Sequence, residues 1–317
     1  FQGMRAAAEH RWGSPDLPPN VIEQLEEDFI VHDWNGAADP QALLAAVGPR
    51  IRGVATNAVQ GVTPELLDAL PNLEIIASSG IGTDALQLER VRAAGIKVAV
   101  TPDVLNDDVA DMAIALMLAV ARKICQGDRN VRAGRWLEGM GLGYRVSGKR
   151  LGILGLGRIG RVIARRAEAF DMEIGYHQRH RNLDVPYTYF DSLVELARFS
   201  DFLVVVVPGG PATEKMVNRE VLEALGPEGI LINVGRGSTV DEQALVAALQ
   251  EGRIRGAGLD VFANEPHVPP ELLAMDQVVL APHYASATIE TRLAMGQLVV
   301  DNLRAHFSGK PLLTPVE

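Results

Sequence analysis

The sequence predicts an α/β chain with two blocks of doubly wound parallel sheet. Three observations carry that prediction. From Pro18 to Pro102, and again from Lys149 onward, short apolar stretches alternate with helical stretches, the pattern of βαβ units. The length of 317 residues is about twice that of an ordinary domain. Hydrophobic residues make up 47% and charged residues 22%, a balance that builds a globular core.

In the first block a helix is expected over Asn20–Leu25 and a strand over Asp28–Trp34. Asp39-Pro40 and Thr63-Pro64 each pair a capping side chain with proline at the first helical position, opening helices at Gln41–Val47 and Glu65–Leu70. Strands are expected at Ile51–Thr56, Leu73–Ala77 and Ile96–Val100, with a helix over Leu86–Ala94. A long helix over Asp103–Arg122 holds the ten-residue apolar run Met112–Ala121, too short to span a bilayer. Arg132–Ser147 is glycine-rich and aperiodic, and reads as an arm or loop. In the second block the strands are Arg150–Leu154, Glu173–Tyr176, Phe202–Val207, Ile230–Val234, Ala257–Val261 and Val278–Ala281. Helices are expected at Ile159–Phe170, Leu193–Ala197, Asn218–Leu225 and Asp241–Gln250, and the last over Leu293–Phe307. No glycine-serine linker divides the blocks, so any hinge is short, with Pro102 and Pro282 as candidates.

Composition also bounds function. A net charge of −10 argues against general nucleic-acid binding, which needs a basic face. The single cysteine, Cys125, leaves no disulfide framework and suits a reducing cytoplasm. No signal peptide or membrane segment is expected. Phe1-Gln2-Gly3 before Met4 reads as the remnant of a cloned protease site and is set aside.

Gly155-Leu156-Gly157-Arg158-Ile159-Gly160 joins an apolar strand to a helix. In that setting the glycines allow a tight turn, room for a pyrophosphate and close helix–strand packing, and helix N–H groups face the phosphates. The six residues are therefore candidate dinucleotide ligands in a Rossmann-like domain. Val207, Pro208, Val234 and Asp260, at later strand ends, are further candidates. After the second strand, where an NAD site offers an acid to the ribose, stands Gln178-Arg179-His180-Arg181. Arginine meets a 2′-phosphate where an acid would repel it. NADP(H) is thus expected over NAD(H), which remains possible, with Arg179 as chief contact and Gln178, His180 or Arg181 assisting.

Ligands of open α/β sheets sit beyond the carboxyl ends of the strands. There the sequence delivers Arg236, Glu265 and His283, each shortly after an apolar strand. The arginine fork suits the carboxylate and 2-oxo group of a small acid. Histidine supplies a proton to the carbonyl oxygen as hydride arrives, and a neighbouring glutamate favours its imidazolium form. No metal ligand is assigned.

These motifs resemble the D-2-hydroxyacid dehydrogenases, and among them the glyoxylate/hydroxypyruvate and hydroxyphenylpyruvate reductases. The resemblance is carried by Gly80-Ile-Gly-Thr-Asp84, the glycine loop, Asn233-Val-Gly-Arg-Gly-Ser238, Leu259-Asp-Val-Phe-Ala-Asn-Glu-Pro266 and Ala281-Pro-His-Tyr-Ala-Ser286. It implies a substrate-binding Arg236, a supporting Glu265, an acid–base His283, and backbone N–H groups of Ile81 and Gly82 on the substrate carboxylate. It implies a discontinuous substrate domain (4–101 and 286–317), a nucleotide domain (102–285) and an active-site cleft between them. A homodimer built on helix 103–122 is implied too, acting on a small 2-oxo acid in the cytoplasm without nucleic acid or membrane. Met4–Glu9 is alanine-rich where relatives begin with a strand, Tyr284-Ala285 follows the histidine, and the 136–144 arm is glycine-rich. The same fold serves NAD-linked formate or phosphite oxidation, which the missing ribose acid and Glu265 disfavour. It also serves nucleotide-sensing corepressors, which keep the same three residues.

Overall fold

The structure, a computed structural model, describes residues 2–5, 19–34 and 36–316. It falls into two units, Phe1–Leu105 with Ser286–Glu317, and Asn106–Ala285.

The first unit is a five-stranded parallel sheet of β1 (Gln2–Arg5), β2 (Ile30–Asp33), β3 (Gly53–Asn57), β4 (Ile75–Ser79) and β5 (Lys97–Ala99). Its strand order is β2-β1-β3-β4-β5, one of the two common doubly wound orders. Successive side chains of a strand face opposite ways, and β4 shows it. Ile75 and Ala77 pack with Val21 and Leu25 of α1 (Pro19–Asp28) and Val299 of α12 (Ile289–Phe307). Ile76 packs on the other face with Leu44 of α2 (Pro40–Val47), Leu66 of α3 (Pro64–Ala69) and Val91 of α4 (Leu88–Ala93). Both cap-proline signals hold: Asp39 Oδ1 accepts the Ala42 N–H at 2.9 Å and Thr63 Oγ1 that of Leu66 at 3.2 Å.

The second unit has seven parallel strands: β6 (Arg150–Leu154), β7 (Glu173–His177), β8 (Thr188–Tyr189), β9 (Phe202–Val205), β10 (Ile230–Asn233), β11 (Gly256–Leu259) and β12 (Val278–Leu280). Their order is β12-β11-β10-β9-β6-β7-β8. The chain winds outward from β6 in one direction, then returns to start again at β9. The switch point, where such sheets bind ligands, thus lies between β6 and β9. Around the sheet run α5 (Asn106–Ala121), α7 (Arg158–Glu168), α8 (Leu193–Phe199), α9 (Arg219–Leu225), α10 (Glu242–Gln250) and the short α11 (Pro270–Leu273). Glycines in β11 let α5 lie against the strand: a Cβ on Gly258 would stand 2.9 Å from Leu116 Cβ.

Several expectations are corrected. Gln2 and Gly3, set aside from the sequence, belong to β1, which pairs with both β2 and β3. The alanine-rich 6–9 and the proline-punctuated run to Pro18 lie outside the described residues. The helix expected over 103–122 is α5, three residues later at its start, because Asp103 takes a left-handed φ of +69°. A helix unread in the sequence, α6 (Ile124–Arg132), follows it and buries none of its residues, with Gly127, a poor helix former, inside it. The last helix, expected from Leu293, begins at Ile289 because Thr288 Oγ1 caps the Thr291 N–H at 3.2 Å.

Candidate active site

The glycine loop leaves β6 at the switch point, and each of its glycines is required for a different reason. Gly155 has φ +100°, and a Cβ there would stand 2.8 Å from Val207 Cγ1. Gly160 lets α7 sit against the loop: its Cβ would stand 2.1 Å from the Gly155 carbonyl oxygen. Gly157, the N-cap of α7, has no atom within 4 Å of the same construction. A side chain there would meet open space, the space a pyrophosphate needs in front of a helix N-terminus. The first intrahelical bond is that of Arg161 N–H to Gly157 O at 3.0 Å, so the preceding amides stand at the helix mouth. Leu156 is buried, which leaves its backbone to face a ligand. These residues fit a dinucleotide.

Beyond β7, Arg179 and His180 are exposed. Gln178 Nε2 donates to His180 O at 2.7 Å and folds the turn back on itself. No hydrogen bond or ion pair engages the Arg179 guanidinium among the described residues. Val207 and Pro208 follow β9 beside Gly155, and Val234 is buried at the end of β10, its N–H on Val205 O at 3.1 Å.

Arg236, Glu265 and His283 follow β10, β11 and β12, three adjacent strands. His283 Nδ1 lies 2.7 Å from Glu265 Oε2, and Glu265 Oε1 accepts the Phe262 N–H at 3.0 Å. Burial opposes ionisation of Glu265. The hydrogen bond and charge of His283, the Phe262 N–H and the charge of Arg236 outweigh it and hold the carboxyl below its ordinary range. With Nδ1 directed at the glutamate, Nε2 is the imidazole atom left for a substrate. His283 itself is held in a left-handed conformation, φ +54°. Its N–H donates to Asp260 O at 2.7 Å, and the Asp260 carboxylate accepts the N–H groups of Tyr284 at 2.7 Å and Ala285 at 3.0 Å. Asp260 is wholly buried, and burial raises its pKa against the pull of those N–H groups and of His283. The side chain read as a nucleotide ligand is thus also the post on which the histidine turn hangs.

Three further residues escaped the sequence reading. Asn233 spans the arginine loop, its Oδ1 on Gly235 N and its Nδ2 on Arg236 O, both at 3.0 Å. Thr239 Oγ1 donates to Arg236 O at 2.6 Å. Glu242 Oε1 accepts the Ala263 N–H at 2.8 Å and steadies the loop that carries Glu265. The Asn-x-Gly spacing is an Asx-turn signal and could have marked Asn233; nothing local marks the other two. In the first unit, Ile81 and Gly82 follow β4, and their N–H groups have no acceptor among the described residues. Gly80, φ +124°, is tied to Thr101, whose Oγ1 accepts its N–H at 2.8 Å.

Residues 114–285 match the D-isomer specific 2-hydroxyacid dehydrogenase, NAD binding domain. Hydroxyphenylpyruvate reductase of Plectranthus scutellarioides is 55% identical over 93% of this chain and 94% of its own length. A glyoxylate/hydroxypyruvate reductase A of Arabidopsis thaliana is 50% identical over 92% of this chain and 94% of its own. Among solved structures, the NADPH-dependent glyoxylate/hydroxypyruvate reductase of Sinorhizobium meliloti, in complex with NADP and malonate, superposes with a TM-score of 0.91 at 47% identity, covering 99% of this chain and 96% of that one. A parallel-sheet unit with its glycine loop at the switch point, an Arg–Glu–His set at three adjacent strand ends and these relatives converge: the chain belongs to the D-isomer-specific 2-hydroxyacid dehydrogenases.

Proposed function

We propose that this chain reduces a small 2-oxo acid with NADPH, glyoxylate to glycolate or hydroxypyruvate to D-glycerate. The observation that carries the reading is the 2.7 Å pair of His283 Nδ1 and Glu265 Oε2 on strand ends next to that of Arg236. Bound NADPH supplies the hydride to the carbonyl carbon. Arg236 grips the carboxylate and the carbonyl oxygen. His283 Nε2 gives its proton to that oxygen as the hydride arrives, and Glu265 orients the ring through Nδ1. In the reverse direction neutral Nε2 removes the alcohol proton. Arg179, with Gln178 and His180, reads the 2′-phosphate, in keeping with the NADP of the Sinorhizobium reductase.

The chain acts as a cytoplasmic homodimer. Trp136, Leu137 and Leu142 of the arm are 76%, 95% and 92% exposed, apolar surface that a second copy would cover. A larger substrate, hydroxyphenylpyruvate, is the second reading, favoured by the 55% identity to the Plectranthus reductase. NADPH oxidation with glyoxylate, hydroxypyruvate and hydroxyphenylpyruvate, repeated with NADH, tests both. Turnover is expected with NADPH and greatest on a small acid. Preference for NADH would overturn the 2′-phosphate assignment, and preference for the aromatic acid would establish the second reading.

A further inference from the structure

Arg236 sits where a sheet strand gives way to a tight turn, and its side chain is useful only if its backbone is fixed. After β10 the chain runs Val234-Gly235-Arg236 and enters a single 3-10 turn, Gly237–Thr239, with Arg236 as its extended N-cap, φ −138° and ψ 143°. No side chain caps that turn, and loops carrying so few regular bonds are mobile unless other groups hold them. Here the Arg236 carbonyl takes three donors at once: Thr239 Oγ1 at 2.6 Å, Asn233 Nδ2 at 3.0 Å and Thr239 N at 3.2 Å. Asn233 also accepts Gly235 N–H, so one side chain ties the Val234–Gly235 peptide to the Arg236–Gly237 peptide across the arginine. Thr239 is fully buried and Asn233 is 1% exposed. Two buried polar side chains spent on one carbonyl are costly to place unless both are satisfied, and each finds its partner at Arg236. Thr239 is itself anchored, its carbonyl accepting Val217 N–H at 3.0 Å.

We infer that Thr239, with Asn233, is a positioning residue for Arg236. The Thr239 hydroxyl and the Asn233 amide fix the carbonyl of the arginine, and so aim its guanidinium at the carboxylate of the 2-oxo acid. The inference rests on the reading that Arg236 binds that carboxylate. Neither side chain meets substrate, so the effect is one of geometry, and small displacements of a binding group are expensive in catalysis.

Thr239→Val removes the hydroxyl at nearly constant volume, Thr239→Ser keeps it, and Arg236→Ala removes the group being positioned. Steady-state kinetics with glyoxylate is combined with NADPH affinity from the fluorescence of the bound cofactor. T239V is expected to raise the KM for glyoxylate roughly tenfold, the scale of one lost buried hydrogen bond, with the Kd for NADPH within about twofold of wild type. T239S is expected to restore KM. An unchanged KM in T239V, or a KM and an NADPH Kd that worsen together, overturns the inference. If T239V does not fold, Asn233→Ser takes its place and the same split decides. Arg236→Ala separates the two levels. If it leaves kcat/KM for glyoxylate intact, the carboxylate reading fails and this inference falls with it. If it abolishes turnover while T239V is silent, only the inference fails.

Discussion

His283 and Glu265 form the unit on which the proposed proton transfer turns. His283→Ala is expected to lower kcat by roughly 10² to 10⁴, the usual worth of a positioned acid, while NADPH binding is retained. Full activity in that variant would place the proton donor elsewhere. Glu265→Gln keeps the hydrogen-bonding shape and removes the carboxylate that holds His283 Nδ1. A loss of roughly ten- to a hundredfold in reductive turnover at neutral pH is expected. The same substitution has a signature in stability. The folded chain holds Glu265 below its ordinary carboxylate range, so the ionised group adds stability that is complete above that range. This stability is lost as pH falls through the lowered folded value. The Tm difference between wild type and E265Q is therefore expected to narrow as pH falls below about 4 to 5. A difference that widened toward acid would contradict the pairing.

Within the elements, the glycine loop allows a sharper test because its glycines act for different reasons. Gly160→Ala puts a methyl 2.1 Å from the Gly155 carbonyl oxygen. Overpacking of that kind costs about 1–3 kcal/mol, so Tm is expected to fall and NADPH binding with it. Gly157→Ala meets no protein atom within 4 Å. Its Tm is expected to match wild type while NADPH affinity falls, because the methyl occupies the dinucleotide's own space. Equal behaviour of the two variants would contradict the separate roles. Much of this layer was legible in the chain. Periodicity and cap-proline pairs locate most elements, and the strand-end rule points to Arg236, Glu265 and His283 from the sequence alone. What escaped has physical reasons. α6 is short, buries none of its residues and holds Gly127, a poor helix former, inside it. Asp103 turns left-handed at a residue whose type does not demand it. The carbonyl of Arg236 is held by Thr239, and that of His283's neighbour Asp260 by the histidine N–H. Such bonds depend on tertiary closure and leave no mark in local sequence.

For the molecule as a whole, the exposed Trp136, Leu137 and Leu142 make assembly a direct expectation. Light scattering is expected to give about twice the 34.1 kDa chain mass, and replacement of all three by serine to shift the population toward monomer. A wild-type monomer at micromolar concentration would remove the dimer from the proposal. Cofactor choice belongs to this scale as well, since the proposed reading gives one exposed turn the choice of nucleotide. Arg179→Ala is expected to raise KM for NADPH by roughly tenfold or more and to change that for NADH little. The most direct measurement is of the product: hydroxypyruvate and NADPH are incubated with the enzyme, and NADPH consumed is compared with glycerate formed, resolved by chirality. One D-glycerate for each NADPH is expected. Tight NADPH binding without glycerate, or formation of the L enantiomer, would contradict the reductase described here.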